Sequence, residues 1–385
     1  MGLLPTELIN AILGHAYYVK GIPDKATLKA CALVSSSWTD PAQRLLFRQV
    51  ALHGLHQGPG HVLFCAATNP STERGRSLGQ YVRVLEISIG EKSGPDLDDE
   101  DLVELLSRTP RLYELALRVA GIRQFSTVTL EKLEELAHPA AASTYWRNPD
   151  NPGCLRLRAL TILSCGIQSP IVYDFLHIWP TIEFLYIGVE IAAPPPRWTP
   201  SFRLYQLTLM RTPRLPIISW LLQSSLESLR IVSFRDAPGR ELNPILEAVG
   251  PRLRSLHLMN YNLRAAAVLK YCPNLEEFVI IQLSTLFQLE NLPSTLIHLC
   301  CKNLPSEDQM LVFIINAVSS LPRLQVLTCN YQAIADEHFP ELQELCNSKA
   351  IELFLDEAPF WVREDPIYVD RFPRKKSTAN FALMN

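Results

Sequence analysis

The sequence predicts an α/β protein: a small helical N-terminal unit, then an irregular solenoid of strand–helix repeats with a horseshoe outline. Three observations predict it. An apolar pattern, L-x-x-L-x-L with conservative replacements, returns again and again from residue 82 onward. Amphipathic stretches of helical period lie between its copies. The first fifty residues carry helical stripes of apolar groups and no copy of the pattern.

The first elements are three short helices. "LPTELINAIL", from Leu4, sets Pro5 near a helix start and apolar groups at 8, 9, 12 and 13. "DKATLKACALVSSSW", from Asp24, has them at 28, 31, 32 and 34, with Trp38 beyond. "DPAQRLLFRQV" offers Asp40 as an N-cap and Pro41 as the first helical residue. "HAYYVKGIP" reads as a long loop between the first two helices. Helices this short cannot bury all the apolar groups they carry. "GLHQGPG", from Gly54, partly separates them from the repeats. The expected division is a helical unit at 1–53, a linker or N-terminal cap at 54–81, the solenoid at 82–356, and a C-terminal cap and tail at 357–385.

The repeat copies read "VRVLEI" at 82, "LYELAL" at 112, "LRALTI" at 157, "IEFLYI" at 182 and "LYQLTL" at 204. They continue with "LESLRI" at 226, "LRSLHL" at 253, "LEEFVI" at 275, "LIHLCC" at 296, "LQVLTC" at 324 and "AIELFL" at 350. Most steps between them fall in the range 21 to 28 residues. Each copy suits a short strand with its fourth and sixth side chains inward and the third, fifth and seventh outward. Stretches such as "DEDLVELLSR", "IVYDFLHI", "IISWLLQ", "RAAAVLKY" and "EDQMLVFIINAVSSL" suit returning helices. Prolines in "TPRL", "GPRL", "CPNL" and "LPRL" stop each helix before the next strand. "HPAAASTYWRNPDNPG" and "EIAAPPPRWTPS" read as inserted loops.

Pattern and period resemble degenerate leucine-rich repeats. The usual asparagine at the ninth position is replaced, by Ala120, Thr212 or Tyr261 for example, and only Cys165 is an accepted substitute. The alternative is another α/β fold with leucine-rich strands.

The first fifty residues resemble an F-box of fungal type. Leu4, Pro5, Glu7 and Leu8 match its opening, Leu33, Val34 and Trp38 its middle, and Leu45, Leu46 and Phe47 its closing segment. The resemblance implies a non-enzymatic substrate-recognition subunit of a Skp–cullin–F-box ubiquitin ligase. Leu4, Pro5, Leu8, Ile12, Leu33, Val34 and Trp38 would then meet the Skp adaptor, which joins a cullin–RING scaffold. The repeats would present a protein substrate for ubiquitin-dependent degradation. The competing reading is a leucine-rich interaction scaffold, without a ligase, whose helices only cap the solenoid.

Outward strand positions are the candidate substrate contacts: Phe184, Tyr186, Met210, Arg230, His257, Met259, Glu277 and Lys302. Aromatics, methionines and scattered charges suit protein recognition. They do not form the basic stripe that nucleic acid requires. "DEAPFWVREDPIYVDRF", from Asp356, is expected to cap the last repeat or fold back across it.

A net charge of -3 gives no footprint for nucleic acid or an anionic membrane. "MLVFIINAV" is too short to span a bilayer, and no signal peptide is evident. Nine cysteines without C-x-x-C spacing suit a reduced compartment, and the expected location is intracellular, in cytoplasm or nucleus. "PRKK" at Pro373 is a short basic tail resembling a weak nuclear signal. No cofactor, metal or catalytic residue is expected. "IGEKSG" lacks phosphate-loop spacing, and "PDLDDEDL" lacks the glycine and closing glutamate of a calcium loop. His53, His56 and His61 have no further ligand, and Ser164-Cys165-Gly166 has no base.

Overall fold

The computed structural model describes residues 4–52, 60–90, 97–138, 154–235, 237–282, 292–303, 310–359 and 361–384. The protein is mixed α/β, and its repeat strands are parallel. It forms two compact units: Met1–Phe202 with Lys376–Asn385, and Arg203–Lys375.

The first unit opens with α1 (Thr6–Ala16), α2 (Lys25–Ala32) and α3 (Ser36–Arg48). Two apolar stripes run along α1. Ile9, Leu13 and Tyr17, four residues apart, are buried. Leu8 and Ile12 have the same spacing, about 100° around the axis, and are exposed, as is Leu4 just ahead of the helix. Asp24 caps α2 by accepting from the Thr27 N–H at 3.0 Å. α3 starts earlier than its sequence suggests: Ser35 precedes it, and Pro41 lies inside it rather than at its first position. Proline there removes one helical hydrogen bond. The Thr39 hydroxyl donates to the Ala32 and Ser35 carbonyls at 2.9 and 3.1 Å, tying the start of α3 to the end of α2. The stretch read as a loop is a hairpin of β1 (Tyr18–Val19) and β2 (Ile22–Pro23). Lys20 and Gly21 turn it with φ of 51° and 75°, the left-handed pair a two-residue hairpin turn demands.

Beyond α3, the described residues of the unit form five parallel strands in chain order: β3 (Gln49–Leu52), β4 (Val84–Ile89), β5 (Glu114–Val119), β6 (Ala159–Ser164) and β7 (Phe184–Ile187). β3 falls at the end of the segment read as the third helix. The described part of the expected linker is helical, Gly60–Ala67 and Glu73–Tyr81, and buries Phe64 and Leu78. His61 belongs to the first of these helices. The chain's last residues also pack here. Phe381 meets Tyr17 edge-on at 5.7 Å, and the Arg48 guanidinium lies over the Phe381 ring at 5.8 Å.

The described residues of the second unit form seven parallel strands in chain order: β8 (Gln206–Leu209), β9 (Ile231–Phe234), β10 (Ser255–Asn260), β11 (Glu277–Gln282), β12 (His298–Asn303), β13 (Val326–Asn330) and β14 (Glu352–Asp356). Helices such as Leu215–Leu222, Leu263–Leu269 and Phe339–Ser348 alternate with them.

Every copy but one starts its strand at the third position of the pattern. The exception is the copy read at 226. Its strand starts at Ile231, so the true copy is Leu229–Phe234, "LRIVSF". Leu226 instead lies in a turn and is partly exposed. The correction regularises the neighbouring steps to 25 and 24 residues.

Hydrogen bonds confirm this register. The second-position carbonyl accepts two N–H groups from the following copy. Arg158 takes them from Glu183 and Phe184 at 2.9 and 3.1 Å, and Tyr205 from Arg230 and Ile231 at 2.9 and 3.2 Å. A hydroxyl just ahead of a copy adds another bond. Thr181, Ser228 and Thr295 donate to the carbonyls of Leu157, Leu204 and Leu275 at 2.7, 2.8 and 2.6 Å. These clasps tie successive copies together without the asparagine of regular repeats.

Candidate functional site

Two surfaces carry the residues singled out by sequence. The first is the helical trio, where α1 packs on both α2 and α3. Leu4, Leu8 and Ile12 are about half exposed, Leu33 is 87% exposed and Val34 65%. Pro5 is exposed as well, and Trp38 is half-buried. Leu33 and Val34 occupy the turn between α2 and α3, where their N–H groups donate to the Ala30 and Cys31 carbonyls at 3.0 and 3.1 Å. That bonding keeps the turn tight and its two side chains outward. Covering a fully exposed leucine is worth about 1.5–3 kcal/mol. Five large apolar side chains in water on so small a unit therefore leave a substantial favourable term unused. Leu45, Leu46 and Phe47 are partly covered, and Phe47 stacks on Phe64 at 6.3 Å.

The second surface is the outward face of the repeat strands. Phe184 is buried, 6.3 Å from the Tyr113 ring, and Tyr186 is half-buried. Met210, Arg230, Met259 and Lys302 are half-buried. Arg230 turns back to donate to the Glu227 and Leu229 carbonyls at 2.8 and 2.9 Å. His257 and Glu277 are buried. An open wall at Phe184, His257 and Glu277 is therefore not what the protein has. In the second unit the reason is residues 361–375, which lie on that face. Val369 and Phe372 pack on Ile231, with Tyr205 alongside. Arg254 donates to the Val369 and Asp370 carbonyls at 2.8 and 3.0 Å, and the Tyr205 hydroxyl accepts from the Val369 N–H at 3.3 Å. The basic tail is engaged too: Arg374 pairs with Glu364 and donates to Gln206 at 2.7 Å, and Lys375 donates to Glu352 at 3.3 Å.

Beneath that segment lies a polar network that the sequence reading did not assemble. Ser255, Glu277 and His298 sit side by side in register on β10, β11 and β12. The Glu277 carboxylate accepts from the Ser255 hydroxyl, from His257 Nε2–H at 3.2 Å and from His298 Nδ1–H at 2.8 Å. His298 Nε2 then accepts from the Thr328 hydroxyl at 2.9 Å. Burial by itself would raise the Glu277 carboxyl, but the donors from His257 and His298 hold it well below its ordinary value. Serine, histidine and glutamate in contact invite comparison with a hydrolytic triad. The geometry does not support one: Ser255 and Glu277 both meet the same nitrogen, His257 Nε2. A relay needs the carboxylate on the other ring nitrogen. All three groups are also buried. The signal was present in the sequence, because these residues hold the third and fifth positions of successive copies.

Elsewhere, "PDLDDEDL" supplies a capping box for the helix Asp99–Ser107. The Asp98 carboxylate accepts from the Glu100 and Asp101 N–H groups, both at 2.9 Å, and Asp101 accepts from the Asp98 N–H at 3.1 Å. Most of "IGEKSG", and the proline- and asparagine-rich insertion after His138, lie outside the described residues. A groove of about 570 Å³ is lined by Glu131, Glu134, Glu135, His138, His177 and Ile178. On the helix Ile171–Ile178, burial raises the Asp174 carboxyl to about 6, opposed by His177. Among the described residues no set of three or more histidines, cysteines and acids is placed to hold a metal. None of the described helices is long and apolar enough to cross a membrane. All nine cysteines are unpaired.

No protein-family model matches the chain, and no curated protein matches its sequence.

Proposed function

We propose that the protein is the substrate receptor of a Skp–cullin–F-box ubiquitin ligase, with its helical trio docking a helix of the Skp adaptor and its leucine-rich repeats selecting a protein for ubiquitin transfer. One observation carries this reading. α1 has two apolar stripes, and the chain uses only one. Ile9, Leu13 and Tyr17 supply the internal packing, while Leu4, Leu8 and Ile12, with Leu33 and Val34, are left in water. Of the residues that resemble an F-box, Leu4, Leu8, Leu33 and Val34 belong to this exposed set. Were the trio only a cap, its solvent face would be polar, as the ends of solenoids are. A partner helix with a few aliphatic anchors fits such a surface, in a mode where few residues carry most of the affinity.

The test is a titration of purified Skp adaptor against the full chain and its Leu8→Asp, Leu33→Asp variant. Both side chains are exposed, so the fold is expected to survive. Adaptor binding by the parent, weakened at least about a hundredfold in the variant, supports the reading. No binding by the parent, or equal binding by both, sinks it. Leu4→Asp with Trp38→Ala probes the same face, but half-buried Trp38 also contributes packing.

A further inference from the structure

We propose that residues 361–375 are a releasable cover occupying, in cis, a site for an extended peptide, and that a partner segment of the same chemistry displaces them: a carboxylate, then an aliphatic and an aromatic side chain, then a basic end.

The cover is neither helix nor strand anywhere along its length, so it adds no rung to the parallel ladder beneath it. What grips it is largely indifferent to side-chain identity. Arg254, held bidentately by Glu276 at 2.8 and 2.7 Å, presents its remaining donors to two successive backbone carbonyls. The Tyr205 hydroxyl takes the Val369 N–H just ahead of them. Any extended chain offers those groups.

Specificity comes from positions around this grip. Ile231 receives Val369 and Phe372, and the Arg254 guanidinium lies 5.3 Å from the Phe372 ring. Lys302 faces Glu364 at 3.9 Å. Gln206 meets Arg374, while Glu352 and the Phe354 ring, at 3.3 and 5.0 Å, meet Lys375.

Release would leave little unsatisfied. The Glu277 carboxylate takes its hydrogen bonds from Ser255, His257 and His298, all on the strands themselves. The buried Glu364–Arg374 pair belongs wholly to the cover and leaves with it. Of the charges beneath, Lys302 and Glu352 each lose an ionic partner and Arg254 loses two carbonyls, and all three gain water in exchange. A segment with few backbone bonds, lying over a self-sufficient layer, is the kind that opens locally before the rest.

The inference deepens the substrate-receptor reading of the second unit, but its test needs no adaptor, so the two can fail separately. A labelled synthetic peptide of residues 361–376 is titrated into the full chain, and into the full chain carrying Val369→Ser and Phe372→Ala. These changes weaken the tethered competitor and leave the face intact. The variant is expected to bind at least about tenfold more tightly than the parent, because the site is open for more of the time. Adding Arg254→Ala is expected to remove that gain, and a scrambled peptide should not bind. A variant that melts cooperatively yet binds no tighter than the parent overturns the proposal. Hydrogen exchange on the parent chain decides the matter even if the variant fails to fold. Amides of 361–375 exchanging at least about a hundredfold faster than those of β10–β13 support a releasable cover. Exchange of both in one cooperative event overturns it.

Discussion

The helical trio and the β10–β13 face each place residues against type. The trio leaves leucine, isoleucine and valine in water; the strand face takes glutamate, histidine and serine out of it. The two inversions are handled in opposite ways. Both carboxylate oxygens of Glu277 have donors from within the chain, so that face is closed on itself. Among the described residues the other stripe of α1 is left about half exposed, while Ile9, Leu13 and Tyr17 supply the internal contact. A buried group against type, fully partnered, speaks for structure. An exposed group against type, unpartnered, speaks for binding.

The contrast can be tested by substitution. Glu277→Ala strands two histidines and a serine, and should cost about 3–5 kcal/mol in denaturant unfolding. Leu13→Ala, on the inner stripe, should cost about 3 kcal/mol in the same measurement. Asp174→Asn should stabilise the protein at neutral pH by about 1 kcal/mol, after discounting for partial solvent access. Leu8→Asp, one turn along on the outer stripe, should change stability by less than about 0.5 kcal/mol. If it costs as much as Leu13→Ala, the stripe is internal and the comparison fails.

The two carboxylates should also respond oppositely to pH. Glu277 is held below its unfolded value, so its contribution is complete above about pH 4.3 and is lost as the pH falls through its folded value. Asp174 is raised to about 6, so the folded state holds its proton more tightly. Its effect is a loss of stability as pH climbs from about 4 to about 6. Stability curves for Glu277→Gln should be flatter on the acid side, and those for Asp174→Asn flatter between these two values.

Much of the strand layout was legible because the strand period is two and the core is leucine. The fourth and sixth side chains of the copies between Leu85 and Cys329 are buried, as alternation requires. The copy at 226 misled because Leu226 and Leu229 both begin an acceptable pattern three residues apart. Ser228 clasping the Leu204 carbonyl, and the Arg230 and Ile231 N–H groups on the Tyr205 carbonyl, distinguish them. β3 was missed because four residues of "QVAL" gain strand character only beside β4. The helix Gly60–Ala67 was hidden by a glycine-rich approach that reads as a linker. The exposed set of α1 was legible by resemblance, while the cover over the outward strand face was legible only as a possibility. Which face residues 361–375 occupy depends on tertiary contacts of Arg254 and Tyr205 that no local pattern encodes.

Phe381 and Tyr17 are far apart in sequence and share one ring contact. During synthesis α1 is made long before Phe381, and its inner stripe lacks this neighbour until residue 381 has followed. Maturation of the proposed docking helices is thereby tied to synthesis of the segment around Phe381. A product stopped before it would present its apolar stripe on a loosened scaffold, and clipping the chain between residues 376 and 381 would act on α1.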